Sequence, residues 1–250
     1  MLLCGMVAQA STGLTDYSGM LVADLPTHGD ASEALQALID ECPNMTIYIP
    51  AGTYTLYNPI RTSAVPTRTV ALQLDDNAVL KAAGRWNHSA PMITLGTSRE
   101  YNTTAEAGYF YYIDGGTIDC SGVAEGIAVE CGRNIQVRNI NIINTKLGFN
   151  IKNGTNGGSS DADIFNLNIV GNGKPGSVGM KCAGFDNIFA NIKISNCQTG
   201  MYFNGGGVNC RDFDISLDNP EIMEGSVAVE CQSTDNWFVN FNITDYQQAF

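Results

Sequence analysis

Short alternating segments of apolar and polar residues recur through the second half of the chain. Five of them read Asn or Asp, apolar, polar, Ile: Asn139–Ile142, Asn166–Ile169, Asn191–Ile194, Asp212–Ile215 and Asn240–Ile243. Their starts lie 21 to 28 residues apart, a spacing typical of solenoids built from stacked repeats. The alternation predicts β-strands with one buried face.

Each repeat carries a second strand-like segment upstream of the first, in most cases directly after a glycine. These segments are Ile127–Glu130, Phe149–Lys152, Met180–Ala183, Met201–Asn204 and Val227–Glu230. Each repeat therefore predicts one coil of about three short strands, whose apolar face is buried only when coils stack. The recurring Asn or Asp is expected at a corner of the coil, because Asn tolerates the left-handed conformation.

The first half of the chain differs, with one predicted helix over residues 31–41. Asp30 and Glu33 fit the spacing of a capping box, and Leu35, Leu38 and Ile39 give the helix one apolar face. Strands are predicted over 46–56 around a Pro-Ala-Gly turn, over 70–74 and over 78–82, with a loop over 97–107. We interpret residues 1–21 as an N-terminal strand or signal remnant, and residues 22–250 as the stacked coils.

Three features together resemble the pectin-lyase-like superfamily: residues 29–40 followed by 49–54, the segment 113–119, and the corner column of Asn. The resemblance covers residues 22–250. It implies an all-β fold, a single-stranded right-handed parallel β-helix with a short N-terminal capping helix. It also implies a polysaccharide partner and an extracellular or virion-associated location. The superfamily includes pectate lyases, polygalacturonases, epimerases, phage depolymerases and inactive adhesins, so the resemblance leaves the activity open.

The chain departs from the polygalacturonase pattern. The Asn-Thr-Asp, Asp-Asp, Gly-His-Gly and Arg-x-Lys motifs are absent at matching places, Asp75 and Asp76 lie too early, and no histidine follows His88. No catalytic residue is therefore assigned, and whether the chain is an enzyme stays open.

Composition excludes some other classes of function. The net charge is −12 and no cluster of Lys and Arg exists, which argues against a nucleic-acid partner. No apolar run reaches the ~20 residues of a membrane span. The eight cysteines form no C-x-x-C pair and are expected as buried apolar residues in strands. No cofactor is expected, although Asp161 and Asp163 could bind Ca²⁺.

In this superfamily the groove lies over the strand that is the upstream segment here. The resemblance therefore implies two outward columns. We expect the first to be Ala128, Asn150, Lys181, Tyr202 and Ala228, and the second to be Glu130, Lys152, Ala183, Asn204 and Glu230. The polar members of these columns, Glu130, Asn150, Lys152, Lys181, Tyr202, Asn204 and Glu230, are the candidate substrate-binding residues. Lys152 and Lys181 could bind a uronate or sialate carboxylate, whereas Glu130 and Glu230 lie four coils apart, too far to act as a glycosidase pair. An ordinary polar strand face with a Glu130–Lys152 pair is the competing interpretation.

Two hypotheses on function follow. The first is a carbohydrate-active β-helix that binds and cleaves a polysaccharide, as a hydrolase or lyase. The second is a non-catalytic glycan-binding or adhesion solenoid, such as a tailspike segment. The last residues, 244–250, look like the start of another coil. We therefore expect the β-helix to be incomplete at its C-terminus, with a homotrimer or a further domain covering the open end.

Overall fold

The computed structural model describes residues 19–62, 69–96, 108–152 and 159–250. The predicted loop over 97–107 and most of the predicted N-terminal segment lie outside the described residues. The described helices are α1 (Ser32–Glu41) and a 3₁₀ turn (Pro220–Ile222). The strands up to residue 119 are β1 (Met20–Val22), β2 (Thr46–Ile49), β3 (Gly52–Leu56), β4 (Ile60–Arg61), β5 (Val70–Leu74), β6 (Ala78–Ala82), β7 (Ile93–Leu95), β8 (Gly108–Asp114) and β9 (Thr117–Asp119).

The later strands form the coils predicted from the repeats. They are β10 (Ile127–Val129), β11 (Gly132–Thr145), β12 (Leu147–Ile151), β13 (Ser160–Gly171), β14 (Val178–Cys182), β15 (Ile188–Ser195), β16 (Thr199–Phe203), β17 (Asn209–Ser216), β18 (Val227–Cys231) and β19 (Trp237–Thr244). The 3₁₀ turn lies in the connection between β17 and β18.

All strand pairs are parallel, and the strands form two sheets. The first sheet runs β1-β2-β5-β8-β11-β13-β15-β17-β19, with β3, β6 and β9 joined to it through β11. The second sheet runs β4-β7-β10-β12-β14-β16-β18. Each strand of a coil thus pairs with its counterpart one coil away, and the chain forms a right-handed parallel β-helix, as the sequence predicts.

The repeated isoleucines lie one above the other inside the coils. Ile142 pairs with Ile169, which pairs with Ile194, and the column continues through Ile215 to Ile243. The first four are buried, and Ile243 in the last coil is half-buried. These residues belong to one continuous core, so burial of stacked apolar faces holds the coils together.

The corner residues adopt the predicted left-handed conformation. Their φ angles are 57° at Asn139, 54° at Asn166, 55° at Asn191, 58° at Asp212 and 58° at Asn240. The side chains of these five residues form what we call the asparagine ladder. Asn166 donates to Asn139 at 2.9 Å, Asn191 donates to Asn166 at 2.6 Å, and Asn240 donates to Asp212 at 2.7 Å.

The helix α1 begins one residue later than predicted. Ala31 is the N-cap residue and gives no side-chain cap, while Asp30 accepts a hydrogen bond from the backbone N–H of Ser32 at 2.8 Å. Leu35, Leu38 and Ile39 are buried, as their spacing predicts, and extend the core at the N-terminal end. The helix therefore caps the stack.

Five cysteines are buried as expected: Cys120, Cys131, Cys182, Cys197 and Cys210. Cys42 is also buried, and it is disulfide-bonded, whereas Cys231 differs from the expectation because it is exposed. Burial raises the pKa of the Cys120 thiol to about 12, so this group stays protonated and inert.

The last described coil is more open than the others. Trp237 is 59% exposed and Phe250 is 60% exposed, and the β19 side chains are half-buried or exposed throughout. The expectation that another domain or a homotrimer covers this end stays a prediction, as does the division at residue 21.

Candidate functional site

The second sheet presents the first predicted column in register over four coils. Ala128, Asn150, Lys181 and Tyr202 occupy successive paired positions, but Ala128 is fully buried and is not exposed on this surface as predicted. The fifth member is Glu230, which pairs with Tyr202, and not the predicted Ala228. The prediction was wrong at this coil.

The reason for the register error is an extra stretch of chain before β18. Sequence spacing had aligned Val227 with Met201, but the structure pairs Val229 with Met201. A Cβ built on Gly200 would lie 2.5 Å from the carbonyl oxygen of Ala228, which shows that Ala228 occupies the place that glycine holds in the preceding coils. Ala228 is therefore fully buried and does not face a groove.

The predicted second column begins with an ion pair. The Nζ of Lys152 lies 3.0 Å from Oε1 of Glu130, and these side chains are 39% and 30% exposed. The column continues through Ala183 and Asn204 to Gln232, in place of the predicted Glu230, as the backbone hydrogen bonds from coil to coil indicate. Asn204 is exposed.

Four side chains link the two columns into one polar surface. The Lys181 Nζ lies 5.8 Å from the centroid of the Tyr202 ring, within reach of a cation–π interaction. Tyr202 donates its hydroxyl proton to Gln232 Oε1 at 2.9 Å, and Gln232 donates to Glu230 Oε1 at 2.7 Å. The structure thus brings most of the predicted residues together on one surface of the second sheet. We call this surface, formed by the two columns, the polar wall.

A cavity of about 350 Å³ lies beside this wall, at the corner that precedes the second sheet. Sequence reasoning missed most of its lining, because the corner segments differ in length from coil to coil. Its chemistry-bearing side chains are Glu125, Lys146, Lys174, Ser177 and Lys181. Of these, Lys181 alone was predicted.

Glu125 is a half-buried carboxyl group among lysines. Burial raises its pKa, while the charges of Lys152, Lys181 and Lys146 act in the opposite direction without cancelling the effect. Within the described part of the chain, its carboxylate makes no hydrogen bond and no ion pair within 4.0 Å. The group is therefore held near positive charge but is left without a direct partner.

Two further cavities are related to this one through shared lining residues. Asn172 also borders a cavity of about 380 Å³ that contains Lys81 and Asp119, whose charged atoms lie 3.0 Å apart. Lys81 in turn borders a third cavity of about 500 Å³, with Tyr57 and Arg85. We call Lys81, Lys146, Lys152, Lys174 and Lys181 the lysine strip; the sequence contains six lysines, and only Lys193 lies elsewhere.

The carboxylates considered for Ca²⁺ are not grouped with further ligands. Asp161 is exposed and accepts a hydrogen bond from the Ser160 hydroxyl at 2.8 Å. Across residues 19–62, 69–96, 108–152 and 159–250, no three His, Cys, Asp or Glu side chains are grouped for a metal ion. Over the same ranges, no helix has the length and apolar character needed to cross a membrane.

No protein-family model and no curated protein matches the chain. Solved structures do. The tailspike protein of E. coli bacteriophage HK620, in the form of a double mutant, aligns over 88% of this chain with 16% identity and a TM-score of 0.59. The alginate lyase from Paenibacillus sp. str. FPU-7 aligns over 83% with 12% identity and a TM-score of 0.57. The pre-mature gene product 12 of bacteriophage phi29 aligns over 80% with 12% identity and a TM-score of 0.53.

The chain spans 74% of the length of the alginate lyase, 44% of the tailspike and 33% of the phi29 protein. Structural similarity at such low sequence identity establishes the fold alone, because folds of this kind host unrelated functions. The chain therefore has a right-handed parallel β-helix fold.

Proposed function

We propose that this chain binds an anionic polysaccharide along the polar wall of the second sheet and the adjoining lysine strip. The observation that carries the proposal is that four of the six lysines, Lys81, Lys146, Lys174 and Lys181, line two cavities that share Asn172, on a protein whose net charge is −12. A local positive surface on an acidic protein attracts anions to that surface and repels them elsewhere.

The polar wall supports a sugar ligand. Asn150, Lys181, Tyr202 and Glu230 stack on adjacent coils and present an amide, an amine, a phenol ring and a carboxylate in one line. Sugar hydroxyls need donors and acceptors of this kind, and the face of a phenol ring offers an apolar surface for stacking. A line of such groups along the stack suits an extended polymer.

The state of the lysines supports a negatively charged ligand. Among the described residues, Lys146, Lys174 and Lys181 have no carboxylate within 4.0 Å, whereas Lys81 and Lys152 are ion-paired. Ammonium groups that border a cavity without a carboxylate partner are available to a ligand carboxylate.

The solved neighbours add weight to a polysaccharide ligand, because they include an alginate lyase and a phage tailspike. They do not distinguish cleavage from binding alone. Binding is common to the enzyme hypothesis and to the adhesion hypothesis, so it is the function proposed first.

The test is binding of the purified chain to a panel of polymers by affinity electrophoresis and calorimetry, with alginate, polygalacturonate and hyaluronan against neutral dextran. We expect binding to at least one uronate polymer, no binding to dextran, and weaker binding as salt rises, because salt screens exposed charges. Lys181→Ala and Tyr202→Ala should each weaken binding severalfold.

Lys193→Ala is the matched control, since it removes the same charge from the first sheet, where Lys193 pairs with Asn168 and Asp214. Equal losses of polymer binding in Lys181→Ala and Lys193→Ala would show that net charge alone causes the effect. That result would reject the site. Absence of binding to every uronate polymer would reject the proposed function.

A further inference from the structure

The first column of the polar wall carries two opposite charges near its C-terminal end. Lys181 pairs with Tyr202, and Tyr202 pairs with Glu230, so the ammonium and the carboxylate belong to the coils on either side of one phenol ring. Paired strands lie about 4.8 Å apart, which separates the backbones of Lys181 and Glu230 by roughly 10 Å. The wall therefore has a positive position and a negative position, two coils apart.

A chain of hydrogen bonds holds the negative position. Tyr202 donates its hydroxyl proton to Gln232 Oε1 at 2.9 Å, and the Gln232 amide donates to Glu230 Oε1 at 2.7 Å. A carboxylate has two acceptor oxygens, so Glu230 can accept from a ligand while it accepts from Gln232. Tyr202 and Glu230 are half-buried and Gln232 is exposed. The Glu230 carboxylate is thus oriented and reachable from solvent.

The positive position belongs to a larger positive region. The Lys181 ammonium lies 5.8 Å from the centroid of the Tyr202 ring, and Lys181 lines a cavity together with Lys146 and Lys174. These lysines precede the coil of Tyr202 along the stack, whereas Glu230 follows it. The sign of the wall therefore changes at Tyr202.

This change of sign bears on which anionic polymer fits. A polymer of uronates alone has a carboxylate on every sugar unit, and a pyranose unit is about as long as the distance between two coils. Laid along the column, such a polymer brings one carboxylate to Lys181 and another towards Glu230. The first contact is favourable, but the second sets like charges against each other, which suppresses binding of the wrong partner.

We propose that Glu230 is a specificity-determining residue that binds the ammonium group of an amino sugar, so that the polar wall prefers a polymer in which uronates alternate with amino sugars. This rests on the proposed function, because Lys181 must bind a uronate carboxylate of the same polymer. Two neighbouring sugar units cover the distance from Lys181 to Glu230. Each end then forms a charge-assisted hydrogen bond, and the Tyr202 ring between them offers a face for stacking.

The experiment compares two polymers that differ in the charge of one group. Hyaluronan alternates a uronate with an amino sugar whose nitrogen is acetylated and uncharged, and removal of the acetyl groups leaves an ammonium group in its place. Polygalacturonate serves as the polymer of uronates alone. Calorimetry at neutral pH should show that the unmodified chain binds de-N-acetylated hyaluronan about tenfold more tightly than hyaluronan.

Glu230→Gln isolates the charge, because its amide oxygen can still accept the hydrogen bond from Gln232. This variant should lose the preference for de-N-acetylated hyaluronan and bind polygalacturonate severalfold more tightly than the unmodified chain does. A purely structural role of Glu230 would change binding of all polymers in the same direction. Glu224→Gln, an exposed glutamate near the 3₁₀ turn in the connection before β18, is the control for net charge and should leave each affinity unchanged within about twofold.

The outcomes separate this inference from the proposed function. Equal binding of hyaluronan and its de-N-acetylated form overturns the inference and leaves the proposed function intact. A preference that persists in Glu230→Gln, or that Glu224→Gln lowers to the same extent, also overturns it. Absence of binding to every uronate-containing polymer by the unmodified chain rejects the proposed function itself.

Discussion

Two corners of the same coils are built in different ways. At the asparagine ladder, Asn and Asp side chains bond to one another from coil to coil, as Asn166 does to Asn139 and Asn191. At the corner before the second sheet, Lys146, Lys174 and Glu125 border a cavity and form no ion pair within the described ranges. The first corner uses its polar groups to fix the fold, and the second leaves them available.

The difference indicates where to look for function in a repeat fold. A polar residue that recurs once per coil and bonds to its counterparts is explained by stacking alone. Charged residues that occur in some coils and have no partner are not explained by stacking. Burial raises the pKa of Glu125, so its ionised form costs the fold stability, and we infer that a ligand is the reason for its position.

The largest expected effect is at the ladder. Asn166→Ala should lower the free energy of unfolding by about 2–3 kcal/mol, since it removes two side-chain hydrogen bonds and places Ala at a φ of 54°. Asn166→Gly should recover about 1 kcal/mol of this, because Gly tolerates positive φ. Urea unfolding followed by circular dichroism measures both changes.

Asn168→Ala is the matched control for the ladder. Asn168 lies two residues further along the same strand and donates one hydrogen bond to Asn141 at 3.2 Å, without a left-handed backbone. We expect a loss of about 0.5 kcal/mol there. Equal losses at Asn166 and Asn168 would mean that the backbone conformation contributes nothing.

A smaller effect is expected at Asp114, which continues the ladder towards the N-terminus. Burial on its own would raise the pKa of Asp114, but hydrogen bonds from Tyr112, Asn139 and Arg138 hold it below its ordinary value. The ionised carboxylate therefore stabilises the fold above the ordinary carboxyl pKa of about 3.9, and this contribution is lost as pH falls through the lowered pKa.

Asp114→Asn should accordingly lower stability by about 1–2 kcal/mol at neutral pH. The difference from the unmodified chain should shrink as pH falls below the ordinary carboxyl pKa, because the unmodified chain then loses the same contribution. Urea midpoints measured across a pH series test this. A difference that stays constant with pH would rule out the ionised carboxylate as the source.

Features that recur in every coil could be predicted from the sequence, whereas features that differ from coil to coil could not. The column from Ile142 to Ile243 and the left-handed corner at Asn139 were predictable, because each recurs at a fixed offset within the repeat. The position of Glu230 was not, because the connection before β18 is longer and shifts the strand by two residues.

Most residues of the lysine strip and its cavity could not be predicted from the sequence, for a related reason. Glu125, Lys146 and Lys174 lie between strands, in segments whose lengths differ from coil to coil. Alternation along a strand states which residues share a face, but no such rule applies to a corner. Only the folded register shows that these residues surround one cavity with Lys181.

The smallest expected effect is a gain in stability at the strip, and it has the opposite sign to those at the ladder. Burial raises the pKa of Glu125 against the opposing charges of Lys152, Lys181 and Lys146, so ionisation of this group disfavours the fold. Stability that is present below its ordinary pKa is therefore lost as pH rises through the raised pKa. Glu125→Gln, which stays neutral, should be slightly more stable than the unmodified chain at neutral pH and equal to it in acid.

Thermal unfolding at several pH values measures this difference in stability, with Glu224→Gln as the exposed control. A loss of stability in Glu125→Gln at neutral pH would mean that the lysines hold Glu125 as a structural partner, and the contrast between the two corners would disappear.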